Sequence, residues 1–130
     1  MKIQLLIATL LTTLYGCQTD IELAQLIDQN SPIILTVRST NGQLSDFRKD
    51  TILVNSDKWQ KLVQFTNNNT ADWKSTPASY ISDFYLQRGN FRLLGWKNGT
   101  SVVIDFNDSD GQTKQLMRTT KPGELNFLIE

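Results

Sequence analysis

Residues 80–118 read YISDFYLQRGNFRLLGWKNGTSVVIDFNDSDGQTKQLMR. Apolar and polar side chains alternate along this stretch, and the alternation breaks at short intervals. A period of two belongs to a half-buried β-strand, because successive side chains point to opposite faces of a sheet. The breaks are Arg88-Gly89-Asn90, Lys97-Asn98-Gly99-Thr100 and Asn107 to Gly111, each carrying the Gly, Asn or Asp that a sharp reversal needs. The pattern predicts strands at 80–87, 91–96, 101–106 and 113–118, and a fifth at 125–129 beyond the turn Lys121-Pro122-Gly123. Strands joined by such short turns are antiparallel neighbours, so the C-terminal half reads as a β-meander.

Upstream of the meander, residues 67–78 read as a polar loop holding Asp72-Trp73-Lys74 and closing at Pro77. Before that loop, Ser56 and Asp57 suit a helix start. A helix over 57–66 places Trp59, Leu62, Val63 and Thr66 on one face and Lys58, Gln60, Lys61 and Gln64 largely opposite. Asn67-Asn68-Asn69 should end it, since these side chains compete for helical hydrogen bonds. Pro32 opens a β-branched run, Ile33 to Arg38, that reads as a strand, and Asn41-Gly42 is a turn signal. Thr51 to Val54 reads as a further strand, preceded by the charged segment Asp46 to Asp50. Within residues 18–31, Leu23, Leu26 and Ile27 have helical spacing, with Asp20 as a cap; a plain tether fits equally well. The expected fold is α+β: a mainly antiparallel β-meander sheet of five to seven strands, with one main helix packed on a face. The expected domain spans 32–130.

Alternation assigns the two faces. Tyr80, Phe84, Leu86, Phe91, Leu93, Val102, Ile104 and Phe106 form one, which is core. Ile81, Tyr85, Leu94, Trp96, Val103 and Met117 fall on the other, among Asp83, Arg92 and Asp105. That second face is too apolar for a solvated one. Either residues 21–54 cover it, which is the expectation, or it is partly open and binds something. If it is open, Tyr85 and Trp96 are the candidate contact residues, because aromatics with a polar edge are enriched at binding hot spots. Trp73 is a further candidate, set against the plainer expectation that it plugs the edge of the core.

The chain has 130 residues, no histidine and one cysteine, with 39% hydrophobic and 20% charged content and a formal charge of zero. The absence of histidine removes the commonest general base and zinc ligand, together with Ser–His and Cys–His nucleophile pairs. The basic residues are scattered, so neither nucleic acid nor an anionic membrane surface is an expected partner. The run Asn107 to Gly111 invites a calcium reading, but Gly111 at position 6 of the calcium loop puts Phe106 at position 1 and Met117 at position 12. Neither side chain can ligate calcium, so a hairpin turn is expected and no metal or other cofactor is. Carboxylates at Asp46, Asp83, Asp105 and Glu124 leave a glycosidase-like pair conceivable, but Asp83 and Asp105 more simply pair with Arg92 across the sheet.

At the N-terminus, Lys2 precedes a short apolar run from Ile3 to Leu14. This describes an export signal, and the run falls short of the roughly 20 apolar residues a transmembrane helix needs. Leu14-Tyr15-Gly16-Cys17 resembles the bacterial lipobox; Leu14, Gly16 and Cys17 match, and Tyr15 stands where a small residue is usual. The resemblance implies a bacterial lipoprotein cleaved after residue 16, with Cys17 bearing acyl chains as the first residue of a lipidated segment, 17–31. Two or more chains suffice for stable anchoring in a membrane. Gln18 after the cysteine, in the sorting rule the resemblance implies, favours the outer membrane; a periplasm-facing attachment is the expectation, which Gln18 itself does not decide.

The expected role is therefore a membrane-anchored, non-enzymatic binding or accessory module whose partner is another envelope protein. An inhibitor or immunity protein falls within that class. The other readings are a small carboxylate-dependent envelope hydrolase and a purely structural component of an envelope complex.

Overall fold

The computed structural model describes residues 18–19, 21–27, 30–39 and 47–130. The signal segment 1–16, Cys17, Asp20, the Asn41-Gly42 turn and Asp46 lie outside the described residues. Along the chain the elements are β1 (Gln18–Thr19), α1 (Leu23–Leu26), β2 (Ile33–Arg38), β3 (Phe47–Ile52), α2 (Asp57–Asn68), β4 (Trp73–Ser75), β5 (Phe84–Arg88), β6 (Phe91–Gly95), β7 (Ser101–Asn107) and β8 (Thr113–Thr119), and a final 3₁₀ turn covers Asn126–Leu128.

The strands form one sheet in the order β1-β4-β8-β7-β6-β5-β2-β3, and every neighbouring pair is antiparallel. The α+β class and the meander, β5 to β8, are as the sequence predicts. The sheet is wider than the expected five to seven strands because short β1 and β4 extend it beyond β8.

One face carries the core. Leu35 and Ile33 of β2, Phe84 and Leu86 of β5, Leu93 of β6 and Val102 and Ile104 of β7 are buried there against Trp59, Leu62 and Phe65 of α2. Helix α2 forms because Ser56 caps it, its hydroxyl oxygen accepting from the Trp59 backbone N–H at 3.2 Å. The buried positions Trp59, Leu62, Phe65 and Thr66 recur with helical spacing. The helix runs through Asn67 and Asn68 and ends at Asn69, so it is longer than expected. Phe65, not assigned to that face from the sequence, is buried one turn beyond Leu62, and Val63 is partly buried against the same core.

Leu23 and Ile27 are buried in the same core and α1 packs against α2, so residues 21–27 belong to the folded unit rather than to a tether preceding residue 32. Among the described residues of 21–54, none covers the second face. The first part packs on the core face, while β2 and β3 extend the sheet.

Four further expectations are corrected. The predicted strand at 51–54 is instead β3, which begins at Phe47 and takes in the charged run. As the outermost strand it is exposed along its length except at Ile52, so no apolar alternation marks it. The loop 67–78 contains β4, which pairs with β8. The first meander strand starts at Phe84 rather than Tyr80. Residues 125–129 form a 3₁₀ turn rather than a strand, with Leu125 and Leu128 buried at its three-residue period. Asn126 fixes that turn, its amide oxygen accepting from the Asn98 N–H and its amide nitrogen donating to the Asn98 side chain.

Candidate interaction surface

The register places two rows of side chains across the second face. One runs Lys49, Thr36, Tyr85, Leu94, Val103, Met117. The next runs Thr51, Ile34, Gln87, Arg92, Asp105, Gln115. The two ends of these rows differ in what lies over them.

Strand β4 lies beside β8, whereas the next strand in sequence, β5, lies on the far side of β8, β7 and β6. The connection 76–83 must therefore cross three strands, and it crosses on the second face. The Gln115 side-chain amide donates to the backbone carbonyls of Thr76 and Ala78. Tyr80 shares a short hydrogen bond with Thr76, reaches the Met117 sulfur and meets Trp96 edge-on at 5.9 Å. The Trp96 indole N–H donates to the Ile81 carbonyl at 2.8 Å. Under this crossover Val103 and Leu94 are buried. Tyr80 was expected among the core residues; it packs on the opposite face because it lies in the connection and not in β5.

Over β2, β3 and β5 none of the described residues covers the second face. Ile34 and Phe47 are each 48% exposed, Thr36 is buried between its neighbours and Tyr85 is half-buried. A cavity of about 310 Å³ lies here, lined by Ile34, Thr36, Lys49, Tyr85, Gln87 and Arg88 among others. A second cavity of about 460 Å³ lies at the strand ends, lined by Arg38, Arg48, Asp83, Lys97 and Ile129 among others. The Arg38 guanidinium stands 5.9 Å from the centre of the Phe47 ring. On exposed surface such a cation–π contact contributes about 0.5–1 kcal/mol.

The three aromatic candidates thus have different fates. Tyr85 lies on the uncovered half. Trp96 is engaged by the crossover. Trp73 is fully buried, with its indole N–H donating to the Asn69 carbonyl at 2.8 Å, so it plugs the core and is withdrawn from any partner. Ile34, Phe47 and Lys49 complete the uncovered surface and were not legible as site residues. Phe47 and Lys49 sit in the charged run that hides β3, although the β2–β3 hairpin sets Phe47 directly opposite Arg38.

Asp83, Asp105 and Glu124, the described carboxylates of the candidate set, are held by separate partners. Asp105 is buried and forked by Arg92, with contacts of 3.1 Å from Nε and 2.6 Å from Nη2. The side-chain hydrogen bond from Arg92 to Asp105, with the charges of Asp105 and Tyr85, holds the Arg92 guanidinium above its ordinary pKa against an opposing effect of burial. A raised cation pKa stabilises the fold at every pH below the ordinary value and loses that effect only as pH climbs through the raised one. The clamp is therefore constant on the Arg92 side at neutral pH. Asp83 does not share Arg92 as expected; its carboxylate accepts from the Lys97 N–H at 2.9 Å. Asp83 lies at the level of Gly95 and Asp105 at the level of Arg92. That puts them roughly 10 Å apart along the strands alone, beyond the spacing of a glycosidase pair. Glu124 is held in the last turns, accepting from the Lys121 N–H.

The Asn107 to Gly111 segment is the β7–β8 hairpin turn. One Asp108 carboxylate oxygen accepts from the N–H groups of Asp110 and Gln112, and Lys114 lies 3.7 Å from the other. Among the described residues no three acidic, cysteine or histidine side chains converge on a point that could hold a metal ion, and no described helix is long and apolar enough to cross a membrane.

Comparison with known protein families, with curated proteins and with solved structures finds no match for this chain.

Proposed function

We propose that this chain is a lipid-anchored envelope protein, held in the outer membrane through Cys17 and facing the periplasm, that works without catalysis by binding another envelope protein. The uncovered half of the second sheet face carries this reading. Tyr85, Ile34 and Phe47 make an apolar, aromatic-bearing surface that none of the described residues covers, whereas the crossover 76–83 covers the other half. Aromatic side chains beside a shallow concavity are typical anchors of protein interfaces. The lipobox resemblance supplies the membrane attachment and accounts for the single cysteine.

The test is capture of the native protein from crosslinked cells, with partners identified by mass spectrometry and Cys17→Ser as the control. One dominant envelope partner that disappears in the control is the expected result. No partner above background would overturn the binding role.

Two substitutions separate the halves of the face. Tyr85→Ala should cost about 1 kcal/mol of stability and abolish capture of the partner. Trp96→Ala should cost about 2–3 kcal/mol, through lost packing and an unpaired Ile81 carbonyl, and should leave capture intact below its own melting temperature. Thermal denaturation alongside the capture assay measures both. The reverse pattern would place the binding surface under the crossover.

A further inference from the structure

We infer that the cavity at the strand ends binds a small carboxylate ligand with a short aliphatic body, and that Arg38 grips the carboxylate. The site goes beyond the protein-binding reading above and does not depend on it. The cavity, of about 460 Å³, has the size that small ligands occupy. Among its described lining residues are three cations, Arg38, Arg48 and Lys97, one carboxylate, Asp83, and two aliphatic side chains, Val37 and Ile129.

Arg38 carries the inference. Its Nε is buried, and no protein group accepts a hydrogen bond from it. A buried donor left without an acceptor is costly, most of all on a charged group, so each one calls for an explanation. The neighbour placed to supply an acceptor does not. Asp83 lies across the β2–β5 ladder from Arg38, and its backbone carbonyl accepts from the Arg38 N–H at 2.8 Å. Its carboxylate accepts instead from the Lys97 backbone N–H at 2.9 Å, and no ion pair joins it to Arg38. On the other side, Phe47 is paired with Arg38 in the β2–β3 register and offers only a ring, which attracts the charge without supplying an oxygen acceptor. The Lys97 ammonium has no ion-pair partner among the described residues. Arg48 pairs with Asp50 at 3.1 Å and adds least to the site.

The same residues select the class of ligand. The Nε–Nη fork of a guanidinium matches the two oxygens of a carboxylate, which would give the buried Nε its acceptor. A phosphate offers a similar pair of oxygens. Asp83 shares the cavity, however, and repels a doubly charged group about twice as strongly as a singly charged one. Val37 and Ile129, both partly buried against the core, give the walls an aliphatic character that suits carbon atoms behind the carboxylate.

The experiment titrates the full-length protein, in non-ionic detergent micelles, with isovalerate, its neutral analogue isovaleramide and inorganic phosphate, and follows the Nε–Hε resonance of Arg38 by NMR. Isovalerate should move that resonance and the Lys97 backbone amide saturably, and should bind about tenfold or more tightly than either of the other two. The advantage over the neutral amide should shrink as salt is raised. Arg38→Lys keeps the charge and loses the fork, so it should weaken isovalerate binding about tenfold, with thermal melts showing that the variant is folded. An Arg38 resonance that isovalerate does not move, isovaleramide or phosphate binding as tightly as isovalerate, or a folded Arg38→Lys protein with unchanged affinity would each overturn the inference. The titration of the unaltered protein decides the matter even if the variant fails to fold.

Discussion

Trp73→Ala is expected to remove about 3–5 kcal/mol of unfolding free energy, the range for deleting a large buried aromatic. Trp73 is the largest of the fully buried side chains. It sits on three-residue β4, between β1 and β8, where little else fixes the sheet edge. Truncation would open a cavity at that edge and strip the Asn69 carbonyl of the indole N–H that donates to it. Asn69 is itself a hub. Its amide nitrogen donates to the Phe65 carbonyl and its amide oxygen accepts from Arg118 Nε, so a shift there would loosen the end of α2 and β8 together. Against a total stability of about 5–15 kcal/mol for a domain, the loss would bring the protein close to unfolding in dilute denaturant. Trp73→Phe should lie between, keeping much of the volume and losing the hydrogen bond. Urea melts of the three proteins measure this. Stability changed by less than about 0.5 kcal/mol, as at an exposed site, would show Trp73 to be a surface residue.

Gly95→Ala is the second large effect, expected to cost about 1–3 kcal/mol by overpacking. The backbone at Gly95 is open to any residue; space is what selects glycine. An added Cβ would lie 2.4 Å from Cζ and 2.6 Å from Cε2 of Phe84, the residue directly opposite on β5. Phe84 is 1% exposed and cannot swing away without disturbing the core. The signature is coupling: combining Gly95→Ala with Phe84→Leu should destabilise by less than the sum of the two single changes, because the smaller side chain makes room. A double-mutant cycle measures this directly. Strict additivity would mean that the ring does not stand over Gly95.

The meander was legible because its turns announce themselves: Gly89-Asn90, Asn98-Gly99 and Asp110-Gly111 each interrupt an alternating run. Helix α2 was legible for the same local reason, from a Ser56 cap and helical spacing of apolar residues. Strand β3 was not, because an edge strand with both faces wet needs no apolar side chains, and Arg48-Lys49-Asp50 reads as a loop. The crossover was invisible for a different reason. Nothing local in residues 67–83 says that β4 will join β8 while β5 joins β6; that is a property of the whole sheet. The sequence did expose the anomaly that the crossover resolves, a second face too apolar for water. It could not say that Tyr80 and Trp96 would be consumed in covering one half and that Tyr85 would be left on the other.

The account turns on that division, and a photoreactive phenylalanine analogue incorporated in living cells tests it. Placed at position 85, it is predicted to crosslink one envelope protein in a single adduct. Placed at position 96, under the crossover, it is predicted to yield none. Adducts from position 96 with none from position 85 would contradict the assignment of the uncovered half as the binding surface.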